Sequence, residues 1–249
     1  MTPTDVLLLS LLVLLAAALY SSVGHGGASA YIAAMALFGL APGVMKPTAL
    51  CLNLLVASLA TFRFARAGAF SWRTLWPFAV TSVPLAFVGG AVTLPTTVYK
   101  QIVGGVLISA AVRLLMDLRA PGDQDATEPR LPPVWVAMAL GAVIGLLSGL
   151  TGVGGGIFLS PLLLLLNWAD VRRTAGVSAA FILVNSAAGL LGNVAGVRAL
   201  PAAIPYLAAA ALLGGLVGTE LGSRRLPTLA IRRLLALVLI IAGVKLILV

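Results

Sequence analysis

Charge is what this chain has least of. Only 9% of its 249 residues are Asp, Glu, Lys or Arg, where soluble domains carry roughly a quarter. The deficit excludes an ordinary solvated surface. One histidine, His25, rules out a two-histidine zinc motif. One cysteine, Cys51, rules out an intramolecular disulfide and any multi-cysteine metal site. Cys51 stands in an apolar run, where packing is its expected role. The seven acids leave no carboxylate pair in the apolar segments and no Ser-His-Asp set, so an enzyme is disfavoured and no cofactor is expected. The first residues, Met1–Asp5, lack the basic start of a cleaved secretion signal, so the first apolar segment is expected to stay.

What is there in abundance is hydrocarbon: 61% of residues are hydrophobic and the mean hydropathy is +1.11. That composition predicts a polytopic α-helical membrane protein. The net charge of +9 arises from sixteen Lys and Arg scattered at segment ends without interleaved aromatics. Such a distribution suits lipid headgroups rather than nucleic acid.

One stretch breaks the apolar pattern most sharply: Ser148-Gly149-Leu150-Thr151-Gly152-Val153-Gly154-Gly155-Gly156-Ile157-Phe158-Leu159-Ser160-Pro161. Each glycine costs a helix interior about 1 kcal/mol, so the run predicts unwound backbone. Within a membrane such backbone persists only against protein or a cavity. A degraded copy, Ser21-Ser22-Val23-Gly24-His25-Gly26-Gly27-Ala28, lies near the N-terminus. Around these breaks the apolar segments are 6–22, 28–40, 47–62, 74–94 and 98–118, then 134–150, 157–167, 174–195, 201–222 and 230–248. The polar stretch 119–133 separates a first repeat, 1–118, from a second, 134–249. Residues 6–40 as one helix would be roughly 52 Å long, too long for a ~30 Å core, so a bend is required.

Basic residues choose between bends. If each broken segment is a hairpin, Arg63, Arg66, Arg73, Arg113, Arg119, Arg130, Arg172, Arg173, Arg224, Arg225, Arg232 and Arg233 share one side, leaving Lys46, Lys100, Arg198 and Lys245 on the other. A single crossing would divide the sixteen evenly. The positive-inside rule favours the hairpin. The expected fold is therefore all-α, with two inverted repeats, each a broken or re-entrant helix hairpin plus three transmembrane helices. The linker is expected to be cytoplasmic and both termini outside.

Helices starting just after each break, near Gly27 and Gly156, would present free N–H groups and the positive end of a helix dipole, a setting suited to an anion. Candidate binding residues are thus Gly24, His25, Gly26 and Gly27 in the first break and Gly152, Val153, Gly154, Gly155 and Gly156 in the second. His25 has three open roles: donor to an anion, carrier of a coupled proton, or backbone partner in the bend. Asn53, Asn185 and Ser178 flank the breaks and stand between ligand contact and interhelical hydrogen bonding. Ser148, Thr151, Ser160 and Ser186 cluster with them. Gly141, Gly145 and Gly149, like Gly214, Gly218 and Gly222, recur every four residues and predict close helix contacts. Glu220 and Asp170, beside Arg224 and Arg172, are expected in interfacial ion pairs.

The run GLTGVGGGIFLSPLL at 149–163, the Thr-Ala-Gly-Val-Ser start of the next helix at 174–178 and the copy SSVGHGGASA at 21–30 together resemble the sulfite exporter TauE/SafE family, also called the toluene sulfonate uptake permease family. The resemblance spans essentially the whole chain. It implies a transporter of small, often sulfur-containing anions in the bacterial inner membrane, with Gly152, Gly154, Gly155, Gly156 and Pro161 matching one family motif and Gly24, Gly26 and Gly27 the other. His25 and Val177 depart from the usual pattern. An exporter driven by an inside-negative potential gains ~2.3 kcal/mol per charge per 100 mV, so a coupling proton or cation is required only for import. A channel and a structural membrane protein are the rival classes. Oligomeric state is not encoded in any feature of the sequence.

Overall fold

The computed structural model describes residues 2–116, 130–198 and 200–224, with Ile240, Gly243, Val244, Ile247 and Leu248. Most of the expected linker, 119–133, and most of the segment 230–248 lie outside the described residues. The chain is all helix where described: α1 (Pro3–Ser21), α2 (Ala28–Leu37), α3 (Pro42–Arg66), α4 (Trp72–Ala91), α5 (Thr96–Met116), α6 (Val134–Thr151), α7 (Gly156–Leu165), α8 (Val171–Gly192), α9 (Val194–Val197) and α10 (Ile204–Arg224). Six of these, α1, α3, α4, α6, α8 and α10, are long and apolar enough to cross a membrane. The expected polytopic helical fold is observed.

Local chemistry sets the helix starts. Thr2 accepts from the Asp5 amide while the Asp5 carboxylate accepts from Thr2 N, with Pro3 at the first helical position. Ser71 caps α4 and Asp170 caps α8, the latter accepting from Arg173 N at 2.8 Å. Helix α3 starts five residues before the expected 47. Pro42 presets its first turn, and Pro47 is carried inside the helix.

The glycine stripes fix the packing. Gly141 abuts Phe78 and Thr81, Gly145 abuts Ser82, and Gly149 abuts Ala86 and Gly90, so α6 lies parallel to α4 at backbone contact. Gly214 meets Leu14 and Ala17, Gly218 meets Ala18 and Ser21, and Gly222 meets Ser22, so α10 lies parallel to α1. A side chain at any of these six glycines would collide with backbone across the interface, which is why small residues recur there.

Further pairings orient the remaining helices. Val56 and Leu59 sit at Gly215 while Arg63 reaches Leu216 and Thr219, so α3 runs with α10. Leu50 lies at Gly189, Asn53 at Ser186 and Phe64 at Gly176, so α8 runs against α3. Lys46, near the start of α3, meets the end of α4, so these two are antiparallel. Thus α1, α3 and α10 point one way and α4, α6 and α8 the other. Because α1 and α3 point the same way, α2 must carry the chain back between them, and α7 does the same between α6 and α8. Burial ranks the helices: 67% of the spanning window of α8 is enclosed against 33% for α1 and α10. The outer pair turns Leu7, Leu11, Leu15, Leu213 and Leu221 outward, a hydrocarbon face suited to lipid.

Both acids expected in ion pairs are found in them. Glu220 pairs with Arg63 at 3.3 Å, linking α3 to α10, because parallel packing brings their C-terminal turns level. Asp170 pairs with Arg173, which follows it at helical spacing.

Candidate functional site

Both glycine stretches are true breaks. Helix α1 ends at Ser21 and α2 begins at Ala28 after Gly27 at φ +98°. Helix α6 ends at Thr151 and α7 begins at Gly156, with Gly152, Gly154 and Gly155 all near φ +80°. Gly154 shows why no other residue serves. Its left-handed backbone disfavours any side chain, and a Cβ there would meet Asn53 Nδ2 at 2.5 Å, Ile182 at 3.0 Å and Ser186 Oγ at 3.1 Å.

The two breaks converge on the middle of the central helices. Asn53, halfway along α3, accepts from Ala28 N at 3.1 Å and donates through Nδ2 to Val153 O at 3.3 Å and Ser186 Oγ at 3.4 Å. One buried amide thereby caps α2 and ties down the second break. Ile182 of α8 packs against Gly26, Gly154 and Gly156 together. From this level α2 and α7, ten residues and about 15 Å each, run apart toward opposite ends of the bundle. Their amino ends therefore face one another across Asn53 and Ile182. The first-turn amides of Ser29 and Ala30 in α2, and of Gly156 and Ile157 in α7, have no intrahelical acceptor by position.

His25 crosses between the halves. Its Nε2 is 3.0 Å from Ser160 Oγ on α7, which is 2.7 Å from Ser178 Oγ on α8. Its amide donates to Tyr20 O at 2.9 Å, and its ring stands edge-on to Tyr20 at 6.2 Å between centroids. Tyr20 and Tyr31 brace the bend, Ser29 Oγ lying 3.0 Å from Tyr20 Oη and Tyr31 Oη donating to Gly26 O at 2.7 Å. The structure thus brings His25, Gly26, Gly27, Val153, Gly154, Gly155, Gly156, Asn53 and Ser178 to the level around Ile182, whereas Gly24 lies against Ala175 and Gly152 against Lys46, about two turns away toward opposite ends of the bundle. Asn185 stands one turn away on α8, its Nδ2 donating to Phe181 O at 2.8 Å.

Lys46 lies toward the end of α3 opposite Arg63 and Arg66, and there its side chain is enclosed. It is only 7% exposed, and its ammonium donates to Gly89 O and Gly90 O at 3.0 Å and Val92 O at 3.2 Å. Three donors meet three carbonyls at the negative end of α4, which compensates burial of the charge. Its main chain and stem pack at 3.1–3.2 Å from the position a Gly152 Cβ would take. Ile182, Tyr20 and Tyr31 were not singled out either. Apolar and aromatic residues in an apolar helix give no signal distinguishing a site wall from core.

Parallel helix pairs, two half-length helices meeting amino end to amino end, and a dry outer face define a polytopic membrane protein of the broken-helix class that moves solutes across a bilayer. The chain belongs to the sulfite exporter TauE/SafE family, whose family model matches residues 9–246. It is 41% identical over 227 residues to a probable membrane transporter protein of Sinorhizobium fredii, covering 91% of this chain and 92% of that one. It is 26% identical over 159 residues to another of Methanocaldococcus jannaschii, covering 62% and 58%. No solved structure matches. The protein is a membrane transporter.

Proposed function

We propose that this transporter carries a small oxyanion, sulfur-containing as in sulfite or an organosulfonate, bound between the amino ends of α2 and α7. The observation that carries this reading is their convergence on Asn53 and Ile182, halfway along α3 and α8. Two dipole ends and four first-turn amides favour negative oxygens without a cationic side chain at the centre. His25, hydrogen-bonded to Ser160, supplies a further polar contact from the first break, and Ser178 supports Ser160 from behind.

Alternating access follows from the same geometry. Asn53 and Ile182 fill the space between the breaks, so an anion reaches it only when the two halves shift, which supports a carrier over an open pore. The opposed directions of α1, α3, α4 and of α6, α8, α10 support inverted halves. Helix ends bearing Arg63, Arg66, Arg73, Arg172, Arg173 and Arg224 lie at one end of the bundle, which supports a cytoplasmic linker and an inner-membrane setting. The test is flux in proteoliposomes with a panel of sulfite, thiosulfate and sulfonates. Saturable uptake with counterflow is expected. Flux linear in concentration, or none for any sulfur anion, would overturn the proposal.

A further inference from the structure

The buried hydroxyls of this bundle usually find a partner, and several follow one habit. Ser21, Thr48, Thr151 and Thr219 each donate to the carbonyl four residues back. Ser82 on α4 and Ser148 on α6 do not: both are fully buried, and neither Oγ has a hydrogen-bond partner among the described residues. The same is true of Asn185 Oδ1 on α8. Phe181 O can only accept, so the Asn185 group facing it is the NH2, and Oδ1 is turned the other way. Orphaned buried polar atoms are rare in folded proteins, and each calls for a physical explanation.

The three residues lie within a turn of one level on the packed helices α4, α6 and α8. Ile144 of α6 and Phe181 of α8 both flank Gly155, at 3.0 and 2.9 Å from where its Cβ would stand. One turn further along each helix come Ser148 and Asn185. On α4, Ser82 abuts Gly145 and Ala86 abuts both Gly149 and Gly189, so Ser82 sits within a turn of the same level. Ser148 Cβ also lies 3.4 Å from the Gly155 Cβ position, at the carboxyl end of α6. That end carries the negative pole of its dipole.

We infer that Ser82, Ser148 and Asn185 form a binding site for a small monovalent cation behind the second break. The donor set is neutral oxygen throughout, two hydroxyls and an amide carbonyl, set beside the negative end of the α6 dipole. Among the described residues no group of three or more His, Cys, Asp or Glu could hold a metal ion, and a divalent ion in such a place would call for carboxylates. An acceptor with no donor repels an anion, which separates Asn185 from the anion-binding set. The contrast with Asn53, at the corresponding place in the first half, is direct. The Asn53 amide is spent on Ala28, Val153 and Ser186, whereas the Asn185 oxygen remains available. Half-helix carboxyl ends and unwound carbonyls are the usual cation ligands in broken-helix transporters, as amino ends are for anions. That the bound cation couples to transport rests on the anion-carrier reading; that the site binds a cation does not.

The test is thermal unfolding of the full chain in detergent, at constant ionic strength and without any sulfur anion, as choline chloride is replaced by sodium chloride. A saturable rise in the midpoint is expected with sodium. Asn185→Leu and Ser148→Ala should each raise the half-saturating sodium concentration by about tenfold or more, the scale on which single supports of a metal site act. Should Asn185→Leu fail to fold, Ser148→Ala and the wild-type titration still decide. Equal midpoints in choline and sodium, or a sodium response unchanged in the variants, would overturn the site. A null result in sodium with sulfite binding intact discards only the cation site, whereas sodium stabilisation with no sulfur-anion binding discards only the substrate.

Discussion

Asn53 holds the two breaks together, and its contacts set what its loss should do. Asn53→Ala leaves Ala28 N without its cap and Val153 O without its donor, both buried. Orphaning buried groups costs about 1–3 kcal/mol each, so a marked fall in the unfolding midpoint is expected in detergent. At Gly154 the effect should fall on function as well. Gly154→Ala places a methyl against the Asn53 amide in a left-handed backbone, so anion affinity should drop even where the protein folds, as read by calorimetry. His25→Gln keeps a hydrogen-bonding partner for Ser160 but does not titrate. Flux that persists while losing its pH dependence between about pH 5 and 8 is the expected outcome if His25 carries a coupled proton, and an unchanged profile dismisses that role.

At the scale of helices, the glycine stripes decide which substitutions matter. Gly145→Leu drives a side chain into the backbone of Ser82 and should separate α6 from α4, lowering the yield of folded protein on size exclusion. Gly105→Ala has open space around it, so the same assay should show no loss. Both stripes were legible in the sequence because a four-residue period of glycine has one physical use in a membrane helix. The breaks were legible for the opposite reason, since clustered glycines have no use in a lipid-facing helix. Two features escaped. The start of α3 at Pro42 was hidden because a proline reads equally well as a boundary or as a first-turn residue. The burial of Lys46 was hidden because its partners are main-chain carbonyls from the end of α4, and no side chain advertises them.

Over the whole molecule, two bundles of opposite direction share one centre. Helices α3 and α8 supply it, α1 with α10 and α4 with α6 flank it, and α2 and α7 aim their amino ends into it. In the proposed alternating access, motion of one half against the other would expose that centre to each side in turn, with the Asn53 and His25 hydrogen bonds as the contacts that must remake. The most direct measurement of the central claim is calorimetric binding of sulfite and other sulfur oxyanions to the purified chain, in the wild type and in Gly154→Ala, Asn53→Ala and Arg66→Gln. Saturable binding that weakens in the first two variants and survives in Arg66→Gln, whose side chain lies at the bundle end, is predicted. Binding lost in Arg66→Gln but untouched by changes at the breaks would contradict the claim.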